Sequence, residues 1–150
     1  RGAPVIATNR LGWEPIRTFS LVEQPSIVVV LDETLLEVVD VTAGIRPDGL
    51  VLVNTGKAPE AIQLKTDVNV ATTNANAWAR EAGLIVMGAV ISNTAILGGF
   101  ARATGLITLE SIEKSLHYHF KGEAVEKNIR GARLAYDHAR ILRECTLACA

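Results

Sequence analysis

Ile27-Val28-Val29-Val30-Leu31 and Leu50-Val51-Leu52-Val53 decide the fold. Each is a short, unbroken apolar run rich in β-branched residues, and each ends in polar residues: Asp32-Glu33 after the first, Asn54-Thr55-Gly56 after the second. An apolar run of this length, without alternation, reads as a strand buried on both faces. Such strands belong to parallel sheets covered by helices. Pro47-Asp48-Gly49 leads into the second run as a turn. Between the two runs, Leu35, Leu36, Val38 and Val39 mark a short helix over 33–39.

Downstream the same alternation of elements continues. Pro59 blocks an immediate helix, and Val68-Asn69-Val70-Ala71 gives a third, weaker strand. Ala75 to Ala82 is a short Ala-rich helix closed by Gly83. Leu84 to Ile91 is apolar throughout and fits either a last strand or part of a buried helix. A helix is predicted over Asn93–Thr104, stopped by Gly105, and another over Leu109–Tyr118 with Thr108 as its N-cap. The last helix runs from about Gly122 to Leu142, with Val125, Ile129, Ala132, Tyr136 and Ala139 as its inner stripe. Gly131 inside it costs about 1 kcal/mol relative to Ala, which a close backbone contact would offset. Upstream, Val5–Arg10 and Ile16–Leu21 alternate loosely around Leu11-Gly12-Trp13-Glu14-Pro15 and predict a β-hairpin. The expected architecture is a three-layer α/β fold, with a mixed, mostly parallel sheet flanked by helices. Residues 1–150 read as one domain, without repeat, linker or low-complexity segment.

Composition excludes several classes of function. Fifteen basic residues face sixteen acidic ones, so there is no cationic excess to neutralise nucleic-acid phosphates. Aromatics at 5% argue against a base-stacking platform. No apolar run reaches the length of about 18 residues that a membrane helix needs. Two cysteines, both in the last six residues, cannot build a disulfide framework, and no Cys/His spacing suits zinc or an iron–sulfur cluster. The chain opens at Arg1-Gly2-Ala3-Pro4 with neither an initiator Met nor a signal segment. The expectation is a chain lacking its beginning, though a processed start would read the same way.

Ligands of open α/β sheets bind beyond the carboxyl ends of the strands. Asn54-Thr55-Gly56-Lys57 lies at such an end. Its backbone N–H groups and the Thr55 hydroxyl suit a phosphate or carboxylate, with Lys57 adding charge; the plainer reading is a turn beside a solvated lysine. Asp32 and Glu33 suggest an acid/base pair, but neighbours leaving a strand diverge and Asp is a good N-cap, so capping is the stronger reading. Ser92-Asn93-Thr94 opens a helix and serves equally as an anion site or as ordinary caps. Capping is favoured for Thr72-Thr73-Asn74-Ala75-Asn76. Arg1-Gly2 pairs an anion-binding side chain with a residue that lets a backbone come close. His117 and His119 point to different helix faces and His138 has no His or Cys partner four residues away, so all three read as surface or packing residues. Cys145 and Cys149 share a face without a third ligand and read as a frayed tail. No Ser/His/Asp set, HExxH or P-loop is present.

Several segments together carry a resemblance. They are Arg1-Gly2-Ala3-Pro4-Val5; Leu31-Asp32-Glu33-Thr34-Leu35-Leu36-Glu37 after a β-branched strand; Val53-Asn54-Thr55; Ser92 through Ile107 continuing into Leu109-Glu110-Ser111-Ile112-Glu113; and Phe120-Lys121-Gly122-Glu123 followed by Lys127-Asn128. In order and spacing, over about residues 1 to 140, the chain resembles the gamma subunit of the 2-oxoacid:ferredoxin oxidoreductases, such as pyruvate synthase and 2-oxoglutarate synthase. That resemblance implies a cytoplasmic, non-catalytic subunit of a complex that oxidatively decarboxylates a 2-oxoacid to an acyl-CoA. Thiamine diphosphate, Mg and 4Fe–4S clusters would sit on alpha, beta and delta-type partners, with electrons passing to ferredoxin. It also implies help in binding coenzyme A, for which the candidate residues are Arg1, Gly2, Asn54, Thr55, Asn93 and Thr94. Family members carry a glycine-rich strand–turn–helix before the arginine-glycine segment, and this sequence does not show it. The competing readings are a stand-alone Rossmann-like nucleotide module, which needs that glycine-rich turn, and a purely structural bridging subunit.

Overall fold

A computed structural model describes residues 4–18 and 20–142. Its sheet is laid out around Leu50–Asn54 (β2), whose residues are all buried. Ile27–Val30 (β1) and Asn69–Thr73 (β3) run parallel to β2 on either side, in the registers Ile27↔Leu50 and Leu50↔Asn69. Arg140–Ile141 (β6) adds antiparallel to β3, so the order is β1-β2-β3-β6 and the sheet is mixed but mostly parallel. One face carries the helices Ala75–Glu81 (α2), Ala95–Thr104 (α3) and Glu123–Asp137 (α5), packed on Leu50, Leu52 and Ala71. The other face carries the single turn Leu35–Val38 (α1), with Val41, Ile45, Ile62 and Leu64, against Val51, Val53 and Val30. Leu109–His119 (α4) closes the helical layer, burying Ile112 and Leu116 against α3 and α5. This is the three-layer α/β arrangement that the sequence predicts.

Small residues set the depth of the helical layer. A Cβ at Gly98 would stand 1.8 Å from the Ala132 carbonyl oxygen of α5, and one at Gly99 would stand 2.5 Å from Thr73 Cγ2 of β3. The two neighbouring glycines therefore let α3 sit directly against α5 on one side and the sheet on the other. At Gly131, where a close backbone contact was expected, a Cβ would instead meet side chains, with Leu84 Cδ1 nearest at 3.0 Å. The near-backbone contact between these helices is made at Gly98.

Four expectations need correction. Residues 5–10 and 16–21 form no hairpin: no strand precedes Ile27 among the described residues. The guanidinium of Arg10 holds this segment instead, donating to the Thr18 carbonyl at 3.3 Å, Ser20 Oγ at 3.3 Å and the Leu21 carbonyl at 3.1 Å. β1 is an edge strand rather than one buried on both faces, and Val29 stays 38% exposed because α3 packs over β2 and β3. Leu84–Ile91 is neither a strand of the main sheet nor a helix; Ile85–Val86 (β4) and Ala89–Val90 (β5) pair as their own antiparallel ribbon. The last helix stops at Asp137, five residues early, because pairing Arg140 and Ile141 with β3 satisfies backbone groups there and brings Ile141 onto the core. Pro59 heads a single 3-10 turn, Pro59–Ala61, where its missing N–H is no loss.

Candidate functional site

The carboxyl ends of β2 and β3 open onto a cleft of about 300 Å³ lined by Thr55, Lys57, Asn74, Trp78, His138 and Arg140, among others. Each wall has a local cause. β2 ends in Asn54, whose Nδ2 donates to the Leu31 carbonyl at 3.0 Å while its Oδ1 accepts from the Asn76 amide at 3.4 Å. Asn54 thus ties the end of β1 to the start of α2. Asn74 caps α2, its Oδ1 accepting from the Ala77 amide at 3.0 Å, as the sequence suggested. Gly56 lies close to this cap: a Cβ there would stand 3.0 Å from Asn74 Nδ2. Trp78, one turn into α2, stacks on His138 just past α5, with ring centroids 4.4 Å apart.

At the turn after β2 the chain supplies an anion of its own. The Thr55 hydroxyl donates to Glu33 Oε2, Lys57 Nζ stands 3.4 Å from the same oxygen, and the Lys57 amide donates to Thr55 Oγ1 at 3.2 Å. The Thr55 hydroxyl, and then Lys57, hold the Glu33 carboxyl below its ordinary range against partial desolvation. Glu33 and Asp32 diverge. Asp32 turns back to accept from the Thr34 amide and hydroxyl, at 3.0 and 2.8 Å, and these two bonds lower its pKa. The two carboxylates do not form an acid/base pair; Asp32 makes the local turn that leads into α1.

Elsewhere in the cleft the charge is less committed. Arg140 forms no ion pair among the described residues. Asp137 also lines the cleft, so its field is not uniformly positive. The indole Nε1 of Trp78 is buried and lacks a hydrogen-bond partner, an orphan donor of the kind that ligand or solvent usually satisfies.

The second predicted pair lies against a different element. Thr94 is buried, and its hydroxyl donates to Asn128 Oδ1 of α5, while Asn128 Nδ2 donates to the Ala124 carbonyl at 2.8 Å. The Thr94 amide donates to Asn93 Oδ1 at 3.0 Å. Thr94 therefore fastens α3 to α5 rather than capping α3 with its side chain. Asn93 is exposed beside it. Arg1 and Gly2 lie outside the described residues, as do Cys145 and Cys149. Trp78, His138 and Arg140 line the cleft, although residue type and spacing gave no sign of it. The fold brings them in by ending α5 at Asp137 and turning the chain back along β3.

Among the described residues, no group of three or more His, Cys, Asp or Glu is placed to hold a metal ion, and no helix is long and apolar enough to cross a membrane. The family model for pyruvate ferredoxin/flavodoxin oxidoreductase matches residues 1–138. The chain belongs to the pyruvate ferredoxin/flavodoxin oxidoreductase family. The pyruvate/ketoisovalerate oxidoreductases common subunit gamma of Pyrococcus furiosus is 44% identical over 144 residues, covering 94% of this chain and 76% of that one. The pyruvate synthase subunit PorC of Methanothermobacter thermautotrophicus is 41% identical over 143 residues, covering 95% and 75%. In the crystal structure of pyruvate oxidoreductase subunit PORC from Thermotoga maritima, the match has a TM-score of 0.71 at 32% identity, covering 81% of this chain and 67% of that one. Within the family, this oxidoreductase chain is of the gamma-subunit type, as its sequence segments indicated.

Proposed function

We propose that this gamma-type chain, residues 1–150 acting as one domain, serves a cytoplasmic 2-oxoacid:ferredoxin oxidoreductase by supporting assembly and by contacting coenzyme A. The complex would convert pyruvate or 2-oxoglutarate to the acyl-CoA and CO2, reducing ferredoxin. Thiamine diphosphate, Mg and 4Fe–4S clusters would reside on alpha, beta and delta-type subunits. Nucleic acid and membrane are not among the proposed partners.

The observation that carries the coenzyme A reading is the cleft at the ends of β2 and β3. It sets two cations, Lys57 and Arg140, beside the stacked Trp78–His138 pair. Cations suit the phosphates of coenzyme A, and an aromatic face with an unused N–H suits its adenine ring. A volume of about 300 Å³ fits part of so long a molecule, so the rest would lie against partner subunits or Arg1-Gly2. When bound, coenzyme A supplies the thiol that accepts the acyl group. This chain's own contribution is to hold and orient the carrier. Asn93 and Thr94 would act at one remove, by fixing α3 against α5.

One observation favours the structural bridging reading instead. Glu33 already engages both Thr55 and Lys57, and an incoming phosphate would have to displace it. Titrating coenzyme A onto the purified complex separates the two. Arg1→Ala, Thr55→Ala and Lys57→Ala should each weaken affinity, by about tenfold if one charge-assisted bond of roughly 1.5 kcal/mol is lost. Unchanged affinity in all three would leave the bridging role.

A further inference from the structure

The ribbon formed by β4 and β5 is anchored at its base and bare at its tip. Leu84 is buried, its amide donates to the Ala79 carbonyl at 2.8 Å, and the Ile91 amide donates back to the Leu84 carbonyl at 2.9 Å. Val90 packs on the main core. Beyond that base, Ile85 is 50% exposed, Val86 58% and Met87 fully. Met87 and Gly88 form a two-residue loop with φ of +49° and +81°. That geometry suits the twist of a hairpin but favours Asn or Gly at its first position, not Met. A Cβ placed on Gly88 would find nothing within 4 Å, so the tip stands clear of the molecule. A fixed base with an outward-pointing Met is the form of an inserted anchor, since Met adapts to irregular apolar pockets.

We infer that this hairpin, through Val86 and Met87, plugs into an apolar, uncharged pocket on another subunit of the same oxidoreductase. The inference rests on the subunit reading above. Charge speaks for such an occupant: no charged residue occurs from Ala82 to Ala101, so the tip has no cations for an anionic lipid surface and no partner for a charged socket. A second copy of this chain is a poor receptor. The cleft at the strand ends and the hollow around Thr8, Arg10 and Ser20 are both lined largely by polar residues. The hairpin is convex and needs a concave host. Three side chains make an anchor within a larger contact, because a stable interface buries on the order of 1,600 Å² in total.

The test is assembly of the full chain with its co-expressed catalytic subunits, read as the dissociation constant by sedimentation across a dilution series. Met87→Lys should weaken assembly at least about tenfold. Met87→Gly should weaken it several-fold while easing the backbone, so the free chain keeps its circular dichroism spectrum and melts no lower. Tyr118→Lys, an equally exposed site on α4, should change nothing. Folded Met87→Lys and Met87→Gly chains that assemble like the parent would overturn the inference and leave the subunit reading standing. Should Met87→Lys misfold, Met87→Gly decides alone. An equal loss with Tyr118→Lys would also overturn it, as would capture of the parent chain by neutral lipid vesicles that Met87→Lys abolishes. A parent chain that assembles with no catalytic subunit would sink both readings.

Discussion

β2 and the segment Val5–Arg10 are both rich in apolar residues, yet they end in opposite states. In β2, Leu50, Val51, Leu52 and Val53 are wholly buried between two parallel neighbours and two covering layers. In the N-terminal segment Val5 and Ile6 are each 88% exposed, and a few hydrogen bonds from Arg10 organise the stretch that follows. The difference teaches that apolar sequence becomes a strand only where a neighbouring backbone offers hydrogen bonds and a layer offers cover. Both conditions hold for β2. Neither holds for residues 4–18 among the described residues.

The comparison breaks most sharply at Leu52. Leu52→Ala removes a fully buried side chain between β2 and the helical layer, and should cost about 2–5 kcal/mol of stability, read from the urea unfolding midpoint. A loss near zero would mean that β2 is no more load-carrying than the N-terminal segment. A subtler probe is the end of β2, where Glu33 is held by Thr55 and Lys57. Because its folded pKa lies below the ordinary 4.5, its contribution is present above that pH and is lost as pH falls through the folded value. Glu33→Gln should therefore flatten part of the fall in stability below about pH 4.5, and change little at neutral pH beyond the bonds it loses. The remaining acid dependence belongs to Asp32, Asp40, Asp48, Glu113 and Glu123, whose pKa values are also lowered by hydrogen bonds. At the small end, Val5→Ser and Trp13→Ser should each shift the stability of the free chain by no more than about 0.5 kcal/mol, since both side chains are almost fully exposed. A larger loss there would show that the segment packs in solution and would erase the contrast.

Much of this was legible from residues alone. The β-branched runs located β1 and β2, and Asn74, Thr108 and Gly105 marked helix ends where the structure has them. What misled was any stretch whose fate depended on a neighbour. Leu84–Ile91 is apolar without periodicity, so no local rule separates a core strand from an exposed ribbon. The inner stripe of the last helix extends to Ala139, but strand pairing at Arg140 competes with the final turns and wins. The cleft was half-legible. Strand-end logic pointed to Thr55 and Lys57, because polar residues following a buried run lie at a sheet edge. It gave no access to Trp78, His138 and Arg140, which converge from 22 to 83 residues away along the chain.

By itself, the sequence determined the parallel α/β plan, the positions of most caps, and membership of a family of oxidoreductase subunits. These follow from local patterns: runs, spacings and ordered segments within a few residues of one another. Only the tertiary structure decided that Glu33 closes on Thr55, that Thr94 fastens two helices, and that Met87 stands bare while Leu84, three residues earlier, is buried. Each of these depends on what lies opposite a side chain in space, and that is fixed by long-range packing rather than by any neighbour in sequence.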